Sequence, residues 1–84
     1  MLEKSVIIKN TEGLHARLAA IFVQTASKFT SSIWVACEGK KVNAKSIMGI
    51  MSLAVSSGES IRIIADGEDE SQSIDELVLL VESK

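Results

Sequence analysis

The chain has 84 residues, 46% of them hydrophobic, with nine basic and eleven acidic residues and a formal charge of −2. One small domain spanning residues 1–84 follows, burying about 60% of its unfolded surface. Its single cysteine, Cys37, and single histidine, His15, exclude an internal disulfide and a zinc site, so the core must be ordinary apolar packing. The near balance of charge argues against nucleic-acid binding, which favours a clearly basic face. No window approaches the roughly 18 apolar residues that span a bilayer, and residues 1–5 do not read as a leader, so a soluble, cytoplasmic, non-membrane protein is expected.

In chain order, Val6-Ile7-Ile8 is a short β-branched run with strand character. From Ala16 to Phe29, the residues Ala19, Phe22, Val23, Ala26 and Phe29 recur every three or four positions, marking a helix with one buried face. Ile33–Cys37 and Lys40–Val42 read as a hairpin turning at Gly39. Ile47–Ala54 is a short, nearly all-apolar helix, with Ser46 placed as its N-cap. Ser60–Asp66 opens with strand alternation and closes at Gly67. Ser71–Glu82 carries a helical stripe of Ile74, Leu77, Val78 and Val81, and Asp69 and Gln72 are spaced as a capping pair before it. The order β-α-β-β-α-β-α predicts an α+β fold, one antiparallel sheet with helices on one face.

Chemistry concentrates at Gly13-Leu14-His15-Ala16-Arg17, between the first strand and the first helix. A helix start offers unpaired N–H groups and the positive end of the macrodipole, so the backbone of Ala16, Arg17 and Leu18 suits a phosphate. Arg17 adds a permanent fork of donors matched to phosphate oxygens. Both influences favour a neutral imidazole at His15, a nucleophile near pH 7. Phosphohistidine has a good leaving group, so a phosphoryl group there stays transferable. Placement alone leaves the commoner outcome open, in which His15 is a cap or surface residue. A hydrolase with His15 as general base lacks a partnered nucleophile or a second histidine. Phe22, Phe29 and Trp34 read as core residues rather than stacking platforms for bases. Cys37 reads as a small buried hydrophobe, and Lys40-Lys41 as a solvated turn.

On the short second helix, Ile50, Leu53 and Ala54 fall toward the core, while Ile47, Met48 and Met51 fall on another side. So short a helix cannot bury its whole circumference, and an exposed Met-rich patch suits the docking of several partners. A core deeper than expected is the alternative.

Gly13–Arg17 followed by Ala19-Ala20 resembles the active-site signature of the HPr family, histidine-containing phosphocarriers of the bacterial sugar phosphotransferase system. Lys45–Leu53 is similar to the family's regulatory serine site, and Gly67–Glu70 matches as well. The resemblance implies an open-faced β-sandwich with four antiparallel strands and three helices. It implies a carrier rather than an enzyme, needing no cofactor and no metal. Phosphate would pass from enzyme I to His15 Nδ1, stabilised by Arg17, and on to enzyme IIA domains of sugar permeases. Ala20 would join Ile47, Met48 and Met51 in partner docking. Ser46 would be the substrate of a serine kinase/phosphorylase, and its phosphorylated form would bind a catabolite-control transcription factor. Lys40, Lys41 and Lys45 are expected near enough to offset that charge. A monomer is expected, and an HPr-like regulatory paralogue acting through Ser46 is the alternative. Leu18 stands where the family usually has proline, which restores an N–H and loosens the turn. Paralogues that have abandoned transport typically lose the histidine, and this chain keeps it.

Overall fold

The computed structural model describes residues 1–11, 13 and 16–83. Along them run β1 (Leu2–Ile7), α1 (Ala16–Ser27), β2 (Ser32–Cys37), β3 (Lys40–Asn43), α2 (Ile47–Ser52), β4 (Ser60–Asp66) and α3 (Glu70–Glu82). The strands form one antiparallel sheet in the order β1-β4-β2-β3. The expected α+β architecture, with three helices on one face, is the one observed.

Period-two alternation sets the two faces of the sheet. Ile61, Ile63 and Ala65 of β4 pair with Val6, Lys4 and Leu2 on one side, and Ile63 and Ala65 pair with Val35 and Ile33 on the other. The buried residues of this face share one core with Phe22, Ile50 and Leu77 of the three helices. Among the described residues no helix covers the opposite face, yet Ile64 and Ala36 are only 5% and 6% exposed there. Trp34, directly across from Ile64, shelters them, with the Lys41 ammonium 4.8 Å from its ring centroid. Arg62 beside them donates to Glu3 at 3.0 Å. Trp34 is therefore half-buried on the outer sheet face, whereas Phe22 and Phe29 are core residues as expected.

Several boundaries differ from the sequence expectation. β1 begins at Leu2 because Glu3, Lys4 and Ser5 gain backbone pairing along β4 whatever their side chains. Ile8 lies past the strand, its N–H donating to Glu59 O and its carbonyl accepting from Gly58 N. α1 stops at Ser27, and Phe29 is reached through tighter i→i−3 bonds from Lys28 N to Thr25 O and Phe29 N to Ala26 O. The β2–β3 hairpin turns on two residues, Glu38 (φ 48°) and Gly39 (φ 84°), a primed turn that suits the strand twist.

The Asp69–Gln72 capping pair does not form. Asp69 occupies the N-cap of α3 through its backbone, with Ser73 N donating to its carbonyl, but its side chain caps nothing. Its carboxylate reaches the α1–β2 connection instead, accepting from Thr30 N at 2.9 Å, Ser31 N at 3.0 Å and the Ser31 hydroxyl. These bonds hold the Asp69 carboxyl down at about 2, the Ser31 hydroxyl contributing most. Gly67 packs so closely on Ser31 that a Cβ there would lie 2.5 Å from the hydroxyl oxygen.

Candidate functional site

The motif between β1 and α1 is described on both of its flanks. Ala16 opens α1, so the N–H groups of Ala16, Arg17 and Leu18 form its first turn, at the positive end of the helix. Ala16 and Arg17 are exposed, leaving the Arg17 guanidinium open to solvent. His15, expected as the phosphoryl acceptor, lies with Glu12 and Leu14 outside the described residues.

Leu18 is only 4% exposed and belongs to the central core. Where proline would stiffen the turn, this chain anchors it with a buried side chain. Its spacing to Phe22 and Ala26 places all three on one helical stripe, which is the sequence signal for this burial.

Gly13 is buried, with φ at +68°, and its N–H donates to Asn10 O at 3.1 Å. A Cβ there would lie 2.6 Å from Val55 O and 2.9 Å from Ser56 Cα. The motif's glycine is thus pressed on the backbone of the turn between α2 and β4. That turn is internally tied, Ser56 N donating to Glu59 Oε1 and Glu59 N to Ser56 O. Gly58 N joins it to the end of β1 through Ile8 O at 2.8 Å.

Ser46 is the N-cap of α2, as the sequence indicates. Its backbone is extended, and its hydroxyl oxygen accepts from Gly49 N at 3.2 Å. Two of the three lysines expected near it are engaged elsewhere. The Lys45 ammonium donates to Phe29 O at 2.7 Å, and Lys41 lies over Trp34 on the far side of the sheet. Lys40 stands in the hairpin opposite Cys37.

The two sides of α2 separate largely as expected. Ile50 is fully buried and Leu53 half-buried, while Ile47, Met48 and Met51 are exposed. Ala54 departs from the expectation: it lies past the helix end, exposed, in the left-handed region at φ 48°. Packed against α2, α1 presents exposed Ala20 and also Ile21, an apolar residue the periodicity had not singled out. Cys37 is half-buried, its Sγ 3.6 Å from Ser60 O; burial first, then the charges of Glu38 and Glu59, pushes its thiol pKa up. Among the described residues there is no group of acidic, histidine or cysteine side chains able to hold a metal, and no helix long and apolar enough to cross a membrane.

The family model for the PTS HPr component phosphorylation site matches residues 2–83. The HPr-like protein Crh of Halalkalibacterium halodurans is 51% identical over 84 residues, covering all of both chains. The phosphocarrier protein HPr of Xylella fastidiosa is 50% identical over 84 residues, all of this chain and 94% of that one. Among solved structures, HPr from Thermoanaerobacter tengcongensis superposes with a TM-score of 0.95 at 61% identity, covering 99% of this chain and 93% of that chain. The Bacillus subtilis Crh, in a dimer with a swapped domain, superposes with a TM-score of 0.78 at 50% identity over 98% of this chain and 94% of that one. With the sheet order, the described flanks of the helix-start motif and the serine cap in place, the chain belongs to the HPr family of phosphocarriers.

Proposed function

We propose that this chain is the carrier of a sugar phosphotransferase relay in the cytoplasm, accepting a phosphoryl group on His15 Nδ1 from phospho-enzyme I and passing it to enzyme IIA domains. The observation that carries this reading is that Ala16 and Arg17, which directly follow His15 in sequence, open α1 in a chain of the HPr family. The neutral imidazole attacks phosphorus while the donor enzyme's group leaves. The Arg17 guanidinium and the first-turn N–H groups offset the charge of the phosphoryl oxygens. Return transfer is easy because protonated imidazole departs readily. The chain is consumed and regenerated as a phosphorylated intermediate, not an enzyme with a substrate of its own. Docking falls to the exposed side of α2, Ile47, Met48 and Met51, with Ala20 of α1. A single chain serves as the working unit.

A second reading is favoured by the full-length similarity to Crh. In it, phosphorylated Ser46 is the functional form and a transcription factor the partner. A phosphate on Ser46 can keep the Gly49 N–H as donor, so capping and modification are compatible. Incubation with phosphoenolpyruvate and enzyme I, reading intact mass before and after mild acid, tests the choice. One acid-labile phosphoryl group, absent in His15→Ala, supports the carrier. Failure to label beside an active enzyme I, with labelling of Ser46 by a serine kinase, supports the regulator.

A further inference from the structure

The sulfur atoms of this chain are distributed unusually. Methionine commonly fills irregular gaps in cores, yet none of the three here does: Met1 is 76%, Met48 77% and Met51 45% exposed. The core is built from Ile, Val, Leu, Phe and Ala instead. Two of the three thioethers stand on one six-residue helix, α2, beside exposed Ile47. The remaining sulfur, Cys37, is half-buried, and burial and the neighbouring carboxylates keep its thiol protonated, away from the reactive thiolate form. Two of the three exposed thioethers therefore lie on the side of α2 assigned to docking, the third being Met1 at the start of the chain.

We propose that Met48 and Met51 form an oxidant-sensitive modification site through which hydroperoxides weaken partner docking. This rests on the docking role given to α2 above. In the modification step, the thioether sulfur attacks the distal peroxide oxygen and the O–O bond breaks. The sulfur takes that oxygen as sulfoxide, losing two electrons, and hydrogen peroxide is reduced to water. Reduction by a dithiol, through a methionine sulfoxide reductase, returns the thioether with release of water and formation of a disulfide. The product places a strong dipole where the partner meets an apolar surface, and a sulfoxide buried without a donor is costly. The fold is spared because no core position carries a methionine. Met48 oxidises ahead of Met51 because it is the more exposed.

The test treats the whole protein with hydrogen peroxide and maps the added oxygen by peptide mass. Phosphoryl acceptance from phosphoenolpyruvate and enzyme I is then measured across carrier concentrations. Met48 should be modified before Met51, with the thermal midpoint unchanged. KM for the carrier should rise roughly tenfold while kcat holds. Methionine sulfoxide reductase with dithiothreitol should restore KM, and dithiothreitol alone should not. In the Met48→Leu/Met51→Leu variant, the same peroxide should leave that variant's own KM where it stood before treatment. A chain modified at Met48 and Met51 with unchanged KM, or a double variant that still loses affinity on oxidation, overturns the inference while the carrier reading stands. An untreated protein that takes no phosphoryl group overturns the carrier reading and this inference with it.

Discussion

Leu18→Ala is the substitution that separates the packing role of this position from its backbone role. Leu18 is 4% exposed and sits among the side chains between helices and sheet, so truncation removes buried apolar volume. Leu→Ala changes at buried sites cost about 2–5 kcal/mol, depending on how far the surroundings collapse. Leu18 lies in the first turn of α1, where the adjoining connection can settle inward, which favours the middle of that range, about 3 kcal/mol. A domain of 84 residues is held by roughly 4–13 kcal/mol in total, so this is a large fraction. The expected fall in thermal midpoint is about 15 °C, read by circular dichroism at neutral pH beside the parent chain. Leu18→Pro should lie between the two, since its ring suits the first turn but fills less of the core. Phosphoryl acceptance per folded molecule should survive in both, because His15 and Arg17 are intact and Leu18→Pro removes only one of the first-turn N–H groups. A fall under about 3 °C for Leu18→Ala, or a Leu18→Pro chain more stable than the parent, would refute the packing argument.

Three further substitutions probe the connections. Glu38→Asn should raise the urea midpoint by the equivalent of about 0.5 kcal/mol, because Glu38 pays a left-handed backbone at φ 48° that Asn tolerates better. Gly13→Ala places a methyl carbon 2.6 Å from Val55 O at a positive φ, so it should cost roughly 2 kcal/mol. It should also slow phosphoryl acceptance by moving the connection that leads to His15, and shift the backbone amide resonances of Ser56 and Ser57. The Asp69 carboxyl is held at about 2, below its usual value near 4, so its contribution is complete above the ordinary carboxylate range and is lost as pH falls toward 2. Asp69→Asn should be less stable at neutral pH and flatten the acid limb of a stability–pH curve; an unchanged limb would show that the bonds to Thr30 and Ser31 do not stabilise the fold.

The helices were legible because each buries one face, and one buried face must repeat every three or four residues. β1 was only half legible: Glu3-Lys4-Ser5 has no strand character of its own, and its pairing comes from the free edge of β4 some sixty residues later. Asp69 shows how a local pattern misleads. Its spacing to Gln72 fits a capping pair, but Thr30 and Ser31, nearly forty positions earlier, supply better donors to the carboxylate. Trp34 was misplaced for a related reason, since a large aromatic reads as core whether it lies beneath helices or lies across an open sheet face. At the site, His15, Arg17 and Ser46 stood out because their chemistry is local to one helix start each. The packing of Gly13 on residues 55–57 joins two distant connections, and no local spacing encodes it.

That packing bears on how a charge at Ser46 would reach the histidine motif. From Ser46 the chain runs through α2 to Ala54, then returns with its 55–57 backbone pressed against Gly13. A mechanical relay along this path would need an element with two stable arrangements. Yet Ile50 is fully buried, Val55 is 1% exposed, and the turn that follows is tied to both Glu59 and Ile8. Shifting α2 would disturb close-packed residues at each end of it, at a cost a single surface charge is poorly suited to supply. The lysine ammonium next to Ser46 in sequence is held by Phe29 O with its charge intact, while Lys41 lies over Trp34 on the far face of the sheet. The more direct effect of a dianion at Ser46 is therefore outside the fold. It would sit at the start of the helix whose other side carries Ile47, Met48 and Met51, and an acidic partner approaching that surface would meet it within a Debye length. On the proposed reading, rigidity of the α2 connection and regulation by charge go together: the helix would hold still, and a partner would meet the added charge directly.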